Sequence, residues 1–340
     1  MATEAISVHE ASQVSEARRR AVLLSERIDF SAEDNGRVAI VATELATNLI
    51  KHAGGGTILA ALYSDDEGDG VELIAVDRGP GMSDVNACQR DGFSTAGSAG
   101  QGLGAIGRQA QFIDVASWPG QGSAVMARLA RARPSPGQAE PTRMGLTLGS
   151  VATPKPGEEV CGDAWTVARD RAGRPMLLVA DGLGHGAAAA EASTAAVRIF
   201  ATHAASFPDV VDAIERIHDG LRATRGAAVA AATLDVDEGR VTFSGIGNIA
   251  GAVVGPGEIR RMVSHNGSAG VSARRVQAFE YPWPRDFLVI MHSDGLSSGW
   301  SVERYPGLFS AHPSLIAAVL WRDACRGRDD ATVVVARARA

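Results

Sequence analysis

The sequence predicts two mixed α/β domains in series: a two-layer α/β sandwich followed by a larger α+β sandwich. Three observations carry that expectation. The chain has 340 residues and 45% hydrophobic content, enough for two cores of ordinary size. The stretch Arg131 to Arg143, RARPSPGQAEPTR, has three prolines, several charges and no apolar periodicity, which is the composition of a linker. The halves on either side carry different motifs in different order, so there is no internal repeat. The expected division is 1–132, a linker at 133–143, and 144–340.

In the first half, Ala5 to Val8 reads as a short strand and Ala11 to Ile28 as a helix. Ser31-Ala32-Glu33-Asp34 resembles a capping box opening a longer helix to about His52. Val38, Val41, Leu45 and Leu49 recur at helical spacing and form its expected buried stripe. Strands are expected at 57–63, 71–77, 112–117 and 123–129, with a helix at 103–109. In the second half strands are expected at 145–151, 164–169 and 176–180, then helices at 187–204 and 208–221. Further strands follow at 228–235, 240–245, 250–254, 287–292 and 332–336. Two helical runs among many strands make an α+β sandwich.

Composition narrows the function. A net charge of -6 offers no electrostatic footprint for nucleic acid. Cys88, Cys161 and Cys325 lie far apart with no C-x-x-C pair, which argues against a disulfide framework or a cysteine zinc site. Cys161 reads as a small buried hydrophobe. No apolar run approaches the roughly 18 residues of a membrane span, and residues 1–10 lack signal-peptide character. The expectation is a cytoplasmic protein with no membrane partner.

Glu44 and Asn48 lie one helical turn apart and share a face, which Lys51 and His52 are expected to continue. Glu44 is placed to accept a proton from an attacking hydroxyl or water. The Asn48 amide oxygen suits a hard cation such as Mg²⁺, and Lys51 suits a phosphate. Asp77 ends a strand before Arg78-Gly79-Pro80-Gly81, where a carboxylate can accept from an exocyclic amine and Gly79 and Gly81 admit a flat base. Gly100, Gly102, Leu103 and Gly104 precede a helix whose N-terminus favours anions. Glu44 through Gly56, and Asp91-Gly92-Phe93-Ser94-Thr95 through Gly104, resemble the GHKL ATPase superfamily, and within it the RsbT-type switch kinases. The likeness covers nearly all of residues 5–130. It implies a Bergerat-type ATP site with Mg²⁺ on Asn48, adenine on Asp77 and phosphates under a lid from about Met82 to Gly102. It also implies transfer of the γ-phosphate to a Ser or Thr of a STAS-domain antagonist. Gly122-Ser123 stands where relatives often have Gly-Thr, which keeps a hydroxyl near the adenine.

Asp163, Asp181, Asp294 and Asp329 each sit at a strand end or in a glycine-containing loop. Singly, such aspartates mean turns; together they suit hard oxygen ligation of two divalent cations, which activate a water for attack on phosphorus. Gly162-Asp163, Asp181-Gly182-Leu183-Gly184-His185-Gly186, Ser293-Asp294-Gly295 and Asp329-Asp330-Ala331-Thr332 resemble, in that order, the SpoIIE family of PPM-type serine/threonine phosphatases and its short RsbX-like members. The likeness covers about residues 145–338 and implies an αββα sandwich. It implies that Asp181 bridges two metals, Mn²⁺ or Mg²⁺, with the Gly182 carbonyl on the metal. By the same likeness Asp294 and Asp329 complete one shell and Asp163 helps hold the second ion. Asp329 is favoured over its neighbour Asp330, with the choice open. A structural hydrogen bond is expected of His185 and turn formation of Asn248 and Asn266.

The resulting expectation is a bifunctional partner-switching regulator that phosphorylates a STAS-domain antagonist and hydrolyses phosphoserine or phosphothreonine. A sigma factor or a second phosphatase is a further candidate partner. Two alternatives stand beside it: a phosphatase gated by a nucleotide-sensing first domain that is not a kinase, and a non-enzymatic partner-binding module. Glu44 weighs against the last, since pure binding needs no base.

Overall fold

Ser31 sets the start of the helix on which the first candidate site depends. Its hydroxyl accepts from the Asp34 backbone N–H at 3.1 Å and donates to the Asp34 carboxylate at 2.8 Å, closing the expected cap. The computed structural model describes residues 2–65, 68–85, 102–131, 144–273 and 275–339. The chain divides into two compact units. The N-terminal unit comprises Thr3–Thr142 and Ser301–Arg322; the C-terminal unit comprises Met1–Ala2, Arg143–Trp300 and Asp323–Ala340. The first boundary between the units falls at Thr142/Arg143, and residues 301–322 group with the N-terminal unit. The linker 133–143 and Cys88 lie outside the described residues.

The N-terminal unit holds β1 (Glu4–Val8), α1 (Ala11–Glu26), α2 (Ala32–Asn48), β2 (Gly56–Asp65), β3 (Gly68–Val76), α3 (Gly102–Gln109), β4 (Phe112–Trp118) and β5 (Gly122–Ala130). The sheet order is β1-β2-β3-β5-β4, all antiparallel. Alternation gives the sheet two faces. Ile58, Ala60, Val71, Leu73, Ala127 and Leu129 form one, packed with Ala17, Leu24, Val38, Val41 and Leu45 of the helices. The other carries Ile74, Met126, Trp118 and the Arg128–Glu72 ion pair (2.7 Å), all buried.

The C-terminal unit holds β6 (Leu146–Thr153), β7 (Asp163–Arg169), β8 (Pro175–Gly182), α4 (Ala187–His203), α5 (Val210–Gly220), β9 (Ala227–Asp235) and β10 (Arg240–Ile246). It continues with β11 (Ala250–Gly255), β12 (Glu258–Met262), β13 (Gly267–Ser268), β14 (Ser272–Ala273), β15 (Phe279–Pro282), β16 (Leu288–His292) and β17 (Ala331–Ala338). Helix α6 (Pro313–Ala324), between β16 and β17 in the chain, falls up to Arg322 in the N-terminal unit. Two five-stranded sheets result, ordered β15-β10-β9-β8-β7 and β12-β11-β16-β17-β6. Val179, Ala230, Phe243, Val253, Val289, Met291 and Val334 fill the space between them. Phe200, Ile214 and Ile217 seal α4 and α5 onto the outer face of the first sheet, against Leu178 and Val229. The α+β sandwich is as expected; α6, β12 and β15 were not anticipated. Among the described residues no helix is long and apolar enough to cross a membrane.

Candidate functional sites

In the N-terminal unit Glu44 and Asn48 are half-buried on the last turns of α2. The helix then widens into a π turn, Leu49–Ala53, ended by Gly54 in the left-handed conformation (φ 72°). The wider turn shifts Lys51 and His52 off the register of an uninterrupted α-helix, a correction to their expected place on the Glu44 face. Both side chains are exposed. Ala53 of that turn abuts Gly79, where a Cβ would lie 2.6 Å from the Ala53 Cα. Leu49, Ile50, Met82 and Leu103 meet in one apolar cluster. Packing therefore brings the end of α2, the loop after Asp77 and the start of α3 together. Gly102, Leu103 and Gly104 form the first turn of α3. Gly100 and the Asp91–Thr95 motif lie outside the described residues.

Asp77 directly follows β3 and is buried. Its Oδ1 accepts from the backbone N–H groups of Gly79 (2.8 Å) and Ser123 (3.2 Å). Burial pushes the carboxyl above its ordinary range, while those two donors and the Arg322 guanidinium pull it back. The Ser123 hydroxyl shares a hydrogen bond with the Ser117 hydroxyl (2.7 Å), which accepts from the Met82 N–H (2.7 Å). Gly81 (φ 70°) and Gly122 (φ 86°) leave room for none but glycine: a Cβ would collide with the Trp118 carbonyl at one and the Asp77 carbonyl at the other. The result is a carboxylate held rigidly, with a hydroxyl beside it, at a strand end lined by glycine backbone.

In the C-terminal unit the aspartates are brought together by strand pairing. Asp163 and Asp181 are direct cross-strand partners on β7 and β8. Asp294 follows β16 and Asp330 precedes β17, and those strands pair with each other. Ser293 ties the groups. Its buried hydroxyl donates to Asp163 Oδ2 (2.6 Å) and accepts from the Thr332 N–H (2.9 Å). Asp330 Oδ1 accepts from the Lys155 N–H (2.9 Å), and Asn248 donates to Asp294 Oδ2 (2.7 Å). Asp329 is half-buried, and its Oδ1 accepts from the Asp330 N–H (3.0 Å). Gly182 packs tightly on α4, where a Cβ would strike the Ala189 carbonyl.

The electrostatics of this cluster are unfavourable in the absence of cations. Burial, reinforced by Asp163, Asp294, Asp329 and Asp330, pushes Asp181 up to about 9. Burial pushes Asp163 up to about 7 despite its hydroxyl donors, and raises Asp294 and Asp330 as well. Asp163 Oδ1 and Asp330 Oδ2 are buried with no hydrogen-bond partner. Among the described residues no group of three His, Cys, Asp or Glu side chains stands ready around one metal position; Asp163, Asp330 and Asp294 each accept from a protein donor. Orphaned carboxylate oxygens on several mutually repelling acids nevertheless fit divalent cations and oxygen ligation.

His185 makes the expected structural bond, Nδ1 to Glu158 Oε1 at 2.7 Å. Asn248 does more than form a turn, since it holds Asp294. Asn266 is exposed before β13. The Cys161 thiol is buried and pushed upward by burial and by Asp163, the behaviour of an inert buried cysteine. Sequence reasoning gave no role to Ser293, although it stands inside the Ser-Asp-Gly motif; its signal was a hydroxyl adjacent to a candidate ligand at a strand end.

These two sites define an ATPase-type nucleotide fold and a PPM-type phosphatase fold on one chain, and comparison with known proteins agrees. Residues 8–129 match the family model of the histidine kinase-like ATPase domain, and residues 171–339 match that of stage II sporulation protein E, SpoIIE. The serine/threonine-protein kinase RsbT of Bacillus subtilis (strain 168) is 32% identical over 111 residues, which is 33% of this chain and 84% of RsbT. The phosphoserine phosphatase RsbX of the same organism is 26% identical over 144 residues, 42% of this chain and 71% of RsbX. A solved structure from work on the bacterial stressosome, described as a modular system adapted to control secondary messenger signaling, is 27% identical with a TM-score of 0.52. It matches over 56% of this chain and 99% of its own. The chain belongs to the RsbT-type family of histidine kinase-like ATPase domains, here joined to a SpoIIE-type serine/threonine phosphatase domain.

Proposed function

We propose that the protein is a bifunctional partner-switching regulator. Its first domain transfers phosphate from ATP to a Ser or Thr of a STAS-domain antagonist, and its second removes phosphate from phosphoserine or phosphothreonine. The observation that carries the reading is the Asp163–Asp181 cross-strand pair, with Asp294 and Asp329-Asp330 delivered by the neighbouring pair β16–β17. Acids so placed and so raised call for divalent cations.

In the phosphatase reading Asp163, Asp181, the Gly182 carbonyl, Asp294 and Asp329 hold two ions, Mn²⁺ or Mg²⁺. Bound there, the ions lower the pKa of a water and neutralise phosphoryl oxygens. Ser293 aims Asp163, and Asn248 aims Asp294. The water oxygen bonds to phosphorus as the substrate Oγ–P bond breaks, which leaves a free hydroxyl and inorganic phosphate. In the kinase reading Asn48 holds Mg²⁺ and Lys51 a phosphate. Asp77 and Ser123 take the adenine beside Gly79 and Gly81, and Gly100, Gly102, Leu103 and Gly104 cradle the phosphates. Glu44 accepts the proton of the attacking hydroxyl as its oxygen bonds to the γ-phosphorus and ADP leaves.

The test uses labelled ATP, Mg²⁺, Mn²⁺ and a STAS-domain protein with wild type, Glu44→Ala, Asp181→Ala and the double variant. Label that accumulates in Asp181→Ala and is lost in the double variant supports both activities on one mark. No label in any variant, with hydrolysis of a pre-phosphorylated STAS protein, would remove the kinase half.

A further inference from the structure

We infer that Arg322 and Tyr305, from the stretch Ser301–Arg322, are positioning residues of the nucleotide site. The inference rests on Asp77 being the base-recognising carboxylate.

Residues 301–322 fall inside the SpoIIE match yet pack in the N-terminal unit. They lie along the sheet face opposite α1 and α2. The His312 N–H donates to Asp114 Oδ2 (2.8 Å), and its ring meets Phe112 with centroids 5.5 Å apart. Arg128 donates to the Ser314 hydroxyl (3.3 Å). Trp118 Nε1 donates to the Pro306 carbonyl (2.8 Å) and the indole packs on the Tyr305 ring, centroids 4.5 Å apart. These contacts end at Asp77. Arg322 Nη1 donates to the Asp77 carbonyl (2.8 Å), Nη2 donates to the Tyr305 hydroxyl (2.9 Å), and the Arg78 guanidinium donates back to the Arg322 carbonyl.

A basic residue in the last turn of a helix ordinarily serves that helix's own carbonyls. Arg322 also reaches Asp77 and Tyr305 with these two donors. The carbonyl it grips is the one that Gly122 must approach without a Cβ, so the peptide after Asp77 is held from two sides. That peptide leads to Gly79, whose N–H donates to the Asp77 carboxylate. The guanidinium thus fixes the direction of the carboxylate, and its charge offsets the cost of burying it.

The experiment uses the full-length protein with ADP as the nucleotide and Mg²⁺ held constant. ADP affinity is measured by titration calorimetry. Wild type, Arg322→Met, Arg322→Lys and Tyr305→Phe are compared. Arg322→Met is expected to weaken ADP about tenfold or more, the usual cost of a lost charged hydrogen bond, and Arg322→Lys to recover part of that loss, which the removal of packing alone would not explain. If wild type binds ADP but Arg322→Met keeps its affinity, the inference falls and the nucleotide reading stands. If wild type binds no ADP, both fall. Should Arg322→Met fail to fold, Arg322→Lys and Tyr305→Phe decide by the same comparison, since unchanged affinity in both overturns the inference.

Discussion

Stripped of divalent cations, the phosphatase unit should lose stability as pH rises from about 5 to 8. Asp163 has a folded pKa of about 7 against an ordinary value of 3.8. Between those values the unfolded chain has released this proton and the folded chain has kept it. Unfolding then releases a proton, so rising pH drives it, and the folded state is favoured on the acid side. About two of those units lie between pH 5 and 7, which corresponds to about 3 kcal/mol at about 1.36 kcal/mol per unit. Asp181, displaced further in the same direction, titrates with Asp163 as a pair, which carries the trend on toward about pH 9. For a domain of roughly 150–250 residues, about 3 kcal/mol moves the melting temperature by about 6–12 °C.

The assay is thermal melting in chelator at pH 5, 6, 7 and 8, read as the difference between wild type and Asp163→Asn/Asp181→Asn. The double variant cannot ionise at these positions and carries the pH response of every other group, so the difference isolates the pair. The variant should gain on wild type steadily as pH rises. Added Mn²⁺ should restore wild type at pH 8 and leave the variant nearly unmoved, because a ligand of the native state stabilises by mass action. The reasoning is refuted if the difference stays flat from pH 5 to 8, or if Mn²⁺ raises both proteins equally.

Three further outcomes follow from single residues. Ser293→Ala removes the hydroxyl donor to Asp163 and strands the buried Thr332 N–H, which should cost about 2–4 kcal/mol in chemical denaturation and weaken Mn²⁺ in a direct titration. Arg128→Ala leaves the buried Glu72 carboxylate without its partner and should destabilise by about 3–5 kcal/mol, whereas Arg128→Met/Glu72→Leu should cost much less, both read from denaturant midpoints. Gly122→Ala places a methyl against the Asp77 carbonyl at positive φ, so ADP binding by calorimetry should be lost while Mn²⁺-dependent phosphatase turnover of a small aryl phosphate persists.

Much of this architecture was legible because its determinants are local. Ser31 and Asp34 form a cap within one turn, and Val38, Val41, Leu45 and Leu49 recur with the helical period. The four candidate aspartates stood out in the sequence because each sits at a strand end or in a glycine-containing loop. What escaped was set by tertiary context. Helix α6, PSLIAAVLWRDA, is buried continuously from Ser314 to Leu320, so it has no polar face to reveal a period of 3.6. Strand β12, EIRRM, lies at a sheet edge with charges on both faces and only Met262 buried, and β15 ends on Pro282, which an edge strand tolerates. The π turn at 49–53 adds its extra residue with no compositional mark. The partnership of Arg322 with Asp77 spans 245 positions of chain, beyond the reach of any spacing rule.

Those omissions share a cause that bears on function. The one helix invisible to periodicity is the one whose residues 313–322 group with the N-terminal unit. A helix that buries every face needs partners on more than one side, and such a helix is costly to move piecemeal because interiors are close-packed. Arg322 near its end donates to the Asp77 carbonyl, so the peptide after Asp77 is held by a buried helix of the same unit.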